Sequence, residues 1–320
     1  MFLQIAGSLL LVDFALREMS PKKNSKRCFD TVRIAVLALL ALTISCNSAD
    51  ESGGTGYPLG IFNFDLDRLA EDEVSQIAAL QAIGYTGLVM DLRFEEQLQI
   101  LRRYQAAIGN DSFEIYVGYV FVDFDKSIEE QNTRIDNVIA SLSKSKGRLC
   151  VILRGKEWKR DEVVAFLRSA AERTKEAGIE LVIFPHIGKV YVIESAEDAL
   201  SYIEEIGSDN IFVSFHLSHE FLGGNGERLD EVAAKIRPWI RLPSINGTDV
   251  SLLNGFQKLN RGVHIKPLAS GDYDSSQLLK ALKSVDYQGP VILHTWGLEE
   301  APVDHYQSSF TRFREMVEEL

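Results

Sequence analysis

The chain has 320 residues, 46% hydrophobic and 25% charged, which is enough to bury a large core and too apolar for disorder along most of its length. Its net charge of −12 excludes broad nucleic-acid binding, because an acidic surface repels a phosphate backbone. Three cysteines (Cys28, Cys46, Cys150), with no CxxC among them, exclude a zinc knuckle and a disulfide scaffold.

The first element is an address. Lys22-Lys23-Asn24-Ser25-Lys26-Arg27 is basic, and Ile34 to Ile44 is an apolar run of 11 residues, too short to span a bilayer comfortably but suited to a signal core. It ends in Ser45-Cys46, followed by a polar, Gly-rich stretch to Gly56. This order resembles a bacterial lipoprotein signal, in which the signal is removed and the cysteine becomes the lipidated first residue. Thr43 departs from that pattern, since leucine is usual there. The expected organisation is a signal or anchor segment over 1–45, a flexible linker over 46–56 and one folded domain over 57–320, with Cys46 as lipidation site and membrane tether of a cell-envelope protein. Ordinary secretion and an uncleaved anchor are the alternatives. Met19 directly precedes the basic stretch, so residues 1–18 read as a start-site artefact. The segment before Cys46 holds six basic and three acidic residues; without it 28 basic and 43 acidic residues remain, a charge of −15.

From Leu59 onward eight short apolar runs alternate with amphipathic stretches. The runs are Leu59–Phe64, Gly87–Asp91, Phe113–Val122, Leu149–Arg154, Ile179–Pro185, Ile211–Leu217, Trp239–Ile245 and Val291–Trp296. Most are β-branched or aromatic, as buried parallel strands are. Asp67 and Asp161 are candidate helix caps, the first ahead of an apolar face that includes Val74. Gly84, Gly109, Gly147, Gly178 and Gly207 each close a helical stretch, supplying the left-handed turn into the next strand. Cys150, inside the fourth run, reads as a small buried hydrophobe. Run starts recur every 26 to 36 residues until the last gap of 52, so the seventh strand–helix loop, Gly247 to about Asp274, is enlarged. Eight such units predict an α/β fold, a closed (β/α)₈ TIM barrel. A doubly wound open sheet is the alternative, but no GxGxxG follows the first run.

In such a barrel the site lies where the strands end. The polar residues there are Asn63 and Asp65, Asp91 and Arg93, Tyr119 and Asp123, Arg154 to Glu157, His186, His216 to Glu220, Ser244 and Asn246, and His294 to Trp296. Four of the six histidines (His186, His216, His219, His294) fall at the ends of runs five, six and eight. Imidazoles from several strand ends converging on one mouth suit a metal or the hydroxyls of a substrate. His186, His219 and His294 are the candidate catalytic residues, and His219 with His216 the candidate ligands of a divalent metal, Zn or Mn, if one binds. Asp91, Arg154, Lys156, Asn246 and Trp296 are candidate substrate contacts. Arg154 and Lys156 suit a phosphate or carboxylate, or are solvated loop charges. Trp296, Tyr119 and Phe62 suit a sugar ring, or are plain packing.

The same segments carry a family resemblance. Ile183-Phe184-Pro185-His186 and His216-Leu217-Ser218-His219 resemble the fifth and sixth strands of sugar isomerase/epimerase barrels of the xylose isomerase-like type. Pro267 to Asp274, Leu278 to Leu282 and Tyr287-Gln288-Gly289-Pro290-Val291 resemble the approach to their eighth strand. The resemblance implies this barrel, a carbohydrate ligand and a metal held by two glutamates, an aspartate and a histidine. Here Phe184 or Pro185 stands at the strand-five glutamate, His216 at the sixth-strand aspartate, Ser244 and Asn246 on strand seven and His294 at the strand-eight glutamate. His219 alone matches. Two readings follow: an isomerase or epimerase with a departed, His-rich site, and a carbohydrate-binding barrel without catalysis. A metal-dependent DNA-repair nuclease is a third, opposed by the acidic body and the missing ligands.

Overall fold

The computed structural model describes residues 56–109, 112–252, 265–298 and 302–320. The chain divides into Met1–Gly54 and Thr55–Leu320. The expected signal segment, Cys46 and the linker up to residue 55 lie outside the described residues. Among the described residues no helix is long and apolar enough to cross a membrane.

The body is an eight-stranded parallel barrel. Its strands are β1 (Leu59–Phe62), β2 (Gly87–Asp91), β3 (Glu114–Asp123), β4 (Arg148–Arg154), β5 (Leu181–Ile183), β6 (Ile211–Val213), β7 (Ser244–Ile245) and β8 (Val291–Leu293). The helices between and after them are α1 (Glu73–Ile83), α2 (Gln97–Ile108), α3 (Ile128–Leu142), α4 (Arg160–Glu176), α5 (Ala196–Ile206), α6 (Leu229–Ile236), α7 (Ser276–Ser284) and α8 (Pro302–Glu318). The hydrogen-bonded order runs β6-β5-β4-β3-β2-β1-β8-β7. Single parallel bridges, Val213 to Ile240 and His216 to Ser244, join the two ends and close the barrel.

Closure follows from strands that are apolar on both faces. In β2, Leu88 and Met90 face the helices while Val89 faces the barrel interior with Phe62, Cys150, Phe184 and Ile292. Cys150 lies in that interior, where burial pushes its thiol well above the usual range; it is packing, as expected.

Several local expectations are corrected. Asp67 sits in a short turn, Leu66–Arg68, and the cap of α1 is Asp72, whose carboxylate accepts from Ser75 N at 2.8 Å. Val74 is exposed rather than on the buried face. Asp161 lies inside the first turn of α4, where its charge favours the helix start without capping it. Gly84 turns left-handed as expected (φ 120°), but ahead of β4 that role falls to Lys146 (φ 55°), one residue before Gly147. The seventh run forms only a two-residue strand: Trp239 ends a helical turn, and Leu242 is left-handed (φ 50°), which interrupts the ladder. The long third run is one ten-residue strand, with a register shift against β2 between Leu88 and Val89 that accommodates Tyr116.

Candidate functional site

At the C-terminal end of the barrel a cavity of about 160 Å³ opens between Phe62, Arg93, Tyr119, Phe121, Phe184, His186, Tyr191, His219, His294 and Trp296, with Ile152 and Ile265. The histidines reach it because the second-half strands stop early. β6 ends at Val213, His216 is still extended, and a helical turn starts at Leu217. His219 N and Glu220 N both donate to the His216 carbonyl, at 3.1 and 3.0 Å. That turn puts two residues three apart on one side, which strand alternation forbids.

The four imidazoles form a continuous row. The centroid of His186 is 4.0 Å from that of His219, His219 is 4.5 Å from His216, and His216 is 4.6 Å from His294. Tyr191 stacks on His186 at 4.0 Å and Phe62 packs on His294 at 4.6 Å, so aromatic rings cap both ends. His216 is 1% exposed and lies beneath the other three, its ring 5.0 Å from Phe184. The Nδ1 of His219 accepts a long main-chain hydrogen bond from Ile187 N, and that of His294 one from Trp296 N, both 3.4 Å. An acceptor at Nδ1 places the proton on Nε2, so both rings are hydrogen-bond donors there.

Arg93 forms the opposite wall. Its Nε and Nη2 donate to the two carboxylate oxygens of Asp91 at 2.9 and 2.7 Å, and its main-chain N donates to Asp91 Oδ1 at 3.0 Å. Asp91 is in turn oriented by Asn63, whose Oδ1 accepts from Asp91 N at 2.8 Å. The guanidinium lies 5.4 Å from the ring centres of both Tyr119 and Phe121. Burial opposes its charge, and the Asp91 carboxylate more than offsets that, so its affinity for its proton rises. Burial also pushes the Tyr119 hydroxyl far up, with the Asp91 charge adding to it, so Tyr119 stays protonated.

The structure brings His186, His219, His294 and Trp296 to one cavity. It does not bring Asp91, Arg154, Lys156 or Asn246 to the cavity wall. Asp91 faces Arg93 from behind. Arg154 is held by Asp123 (2.9 Å) and stands over Phe121 at 4.5 Å, on the rim. Lys156 is exposed, with its main-chain N bonded to Asp125. Asn246 is fully buried, its Nδ2 donating to the Gly247 carbonyl. Phe121 and Tyr191 are walls that sequence reasoning left out; Arg93 was read at the end of the second run but not among the candidate contacts.

The donor set does not fit the divalent metal expected on His219 and His216. No group of three or more His, Cys, Asp and Glu among the described residues is placed to hold an ion. Coordination needs nitrogen lone pairs about 2.0–2.1 Å from one point, whereas these rings pack against one another and His219 carries its proton on Nε2. In the resemblance, Phe184 or Pro185 and His294 stand where glutamates are expected. Glu220, beside His219, is turned away: its oxygens accept from Ala196 N (2.7 Å) and Asn225 Nδ2 (2.6 Å). Burial pushes its carboxyl up to about 7 against the pull of those two bonds.

The family model described as xylose isomerase-like TIM barrel matches residues 77–316. No curated protein matches the chain. Similar solved structures include a 3-keto-D-glucoside 4-epimerase from E. coli, 17% identical over 81% of this chain and 99% of that one, with a TM-score of 0.64. An L-ribulose 3-epimerase is 16% identical over 82% and 94%, TM-score 0.62. A D-allulose 3-epimerase from Methylomonas sp. is 14% identical over 82% and 99%, TM-score 0.62. At these identities the likeness concerns the fold.

Proposed function

The chain belongs to the xylose isomerase-like TIM-barrel family, and we propose that its His-lined cavity binds a monosaccharide-sized carbohydrate and moves a proton on it. The observation that carries this reading is the row of four imidazoles set against an aromatic wall at the barrel mouth. The sugar epimerases among the structural neighbours support the substrate class. In this reading His186 takes the proton from a carbon next to the sugar carbonyl. The Nε2–H groups of His219 and His294 hold the enediolate oxygen; return of the proton to the neighbouring carbon gives isomerisation, and delivery of a proton to the opposite face of the same carbon gives epimerisation. Trp296 and Phe62 cover the apolar face of the ring.

Incubating the protein with a ketose panel in D₂O and following the sugar C–H signals by NMR tests this. Deuterium exchange that His186→Asn abolishes, and that EDTA leaves unchanged, is the expected result. Binding without exchange supports the second reading, a carbohydrate-binding barrel without turnover, which the histidine and aromatic lining, without a carboxylate among the described residues, favours. Absence of binding refutes both.

We further propose that Cys46 is the lipidated residue of a cell-envelope protein, with residues 1–45 as signal, 46–56 as linker and 57–320 as barrel domain. The support is the basic–apolar–cysteine order. Cys46→Ser is then released from membranes by carbonate; a variant that stays membrane-bound refutes the lipid anchor.

A further inference from the structure

We propose that the ligand is a sugar acid, with its carboxylate held by Arg93; this rests on the carbohydrate reading of the same cavity. The body carries −15 outside its first 45 residues, yet among the described residues no carboxylate lines the cavity. Asp91, the acidic group bonded to Arg93, is already occupied. Arg93 Nε, one Nη2 hydrogen and the Arg93 main-chain N–H all converge on it. That leaves the two Nη1 hydrogens and the second Nη2 hydrogen of Arg93 without a hydrogen bond among the described residues. The guanidinium is fixed on its Asp91 edge, flanked by Tyr119 and Phe121, and half-buried, with a side chain 22% exposed. A planar fork held in this way is suited to a second oxyanion, and being weakly hydrated it loses little on desolvation.

The rest of the wall agrees. His219 and His294 have Nε2–H donors on this wall. A neutral sugar offers mostly hydroxyls, each of which both donates and accepts, so a donor-rich wall leaves hydroxyl hydrogens without acceptors. A carboxylate only accepts, and so matches such a wall. A volume of about 160 Å³ suits a single sugar unit. An acidic exterior suppresses non-specific anion binding, so affinity for an acid measures this cavity and not the general surface.

Matched pairs test the proposal by calorimetry on the full chain: D-glucuronate and D-gluconate against D-glucose, and D-galacturonate against D-galactose. At least one acid is expected to bind tenfold or more tightly than its neutral parent, with an affinity that weakens as salt is raised. In Arg93→Met the ratio of acid to neutral affinity is expected to fall to about one, whatever the affinity for the neutral parent becomes. Because this variant strands a buried carboxylate, Arg93→Met/Asp91→Asn removes both charges and keeps the comparison on a folded protein. The double variant must also lose the preference. If neutral sugars bind as well as or better than the acids, the sugar-acid proposal is overturned and the carbohydrate reading stands. If neither class binds, both are overturned. Retention of the acid preference in the double variant overturns the role of Arg93.

Discussion

The two halves of the barrel are built differently. β1 to β4 run for 4, 5, 10 and 7 residues, whereas β5 to β8 run for 3, 3, 2 and 3. In the first half the ladder carries the strands to the rim, apart from the register shift between β2 and β3, and the polar groups there pair within the framework, Asp91 with Arg93 and Asp123 with Arg154. In the second half the ladder stops early. His186 and His216 each lie three residues beyond their strand, and His294 is the first residue after β8. Released from alternation, the chain folds these imidazoles onto one another. Long strands therefore give this molecule its frame and one cationic wall, and short ones give it the histidine row.

The contrast makes first-half core changes costly for stability and second-half changes costly for binding. Leu88→Ala, in the fully buried centre of β2, is expected to lower the unfolding free energy by about 2–5 kcal/mol. It should leave ligand affinity at low temperature unchanged; denaturant unfolding beside calorimetry reads both. A binding loss as large as the stability loss would break the distinction.

Glu220 gives the next largest effect. Its carboxyl is raised from 4.5 to about 7 in the folded protein, so between those pH values the native state holds a proton that the unfolded chain has released. Its contribution is fully present below about pH 4.5 and is lost as pH rises to 7, a change on the order of 3 kcal/mol for a shift of this size. Glu220→Gln should flatten the fall of Tm between pH 5 and 8. An unchanged slope would show that Glu220 is ionised throughout.

His219→Asn should cost about tenfold in ligand affinity, about 1.4 kcal/mol. An asparagine oxygen can replace Nδ1 as acceptor of Ile187 N while the Nε2–H is lost, so Tm should shift little; a large Tm drop with unchanged affinity would make the residue structural. The smallest effect belongs to Lys156→Ala. Its side chain is exposed off the cavity, so both stability, within about 0.5 kcal/mol, and affinity should match the parent. A weaker ligand in that variant would extend the site to the rim.

Much of the frame was legible because it depends on local composition. Eight apolar runs, their spacing and their glycine exits are periodic signals, and each run holds a strand of the barrel. Strand ends were not legible. Pro185 and Leu217 read as continuations of their runs, yet β5 ends at Ile183 and β6 at Val213, because the ladder depends on a neighbour and not on the residue itself. Asp67 offered a good cap at the wrong place because capping needs only a short acceptor near a helix start, and Asp72 is the one that α1 begins after. Of the site, the histidine positions could be read, since four of six fell at strand ends. Phe121 and Tyr191 could not, because nothing local distinguishes an aromatic that lines a cavity from one that fills a core.

By itself, then, the sequence determined the fold class and the end of the barrel at which polar residues gather. These follow from residue type and period alone. The tertiary structure decided which residues face one another. It turned the Leu217 peptide into a helix so that His216 and His219 share a side, laid Asp91 against Arg93 and left Arg93 open to the cavity. It also moved Arg154, Lys156 and Asn246 off the wall. Most of those outcomes depend on where a strand stops pairing and on partners distant in the chain, and no local pattern encodes either.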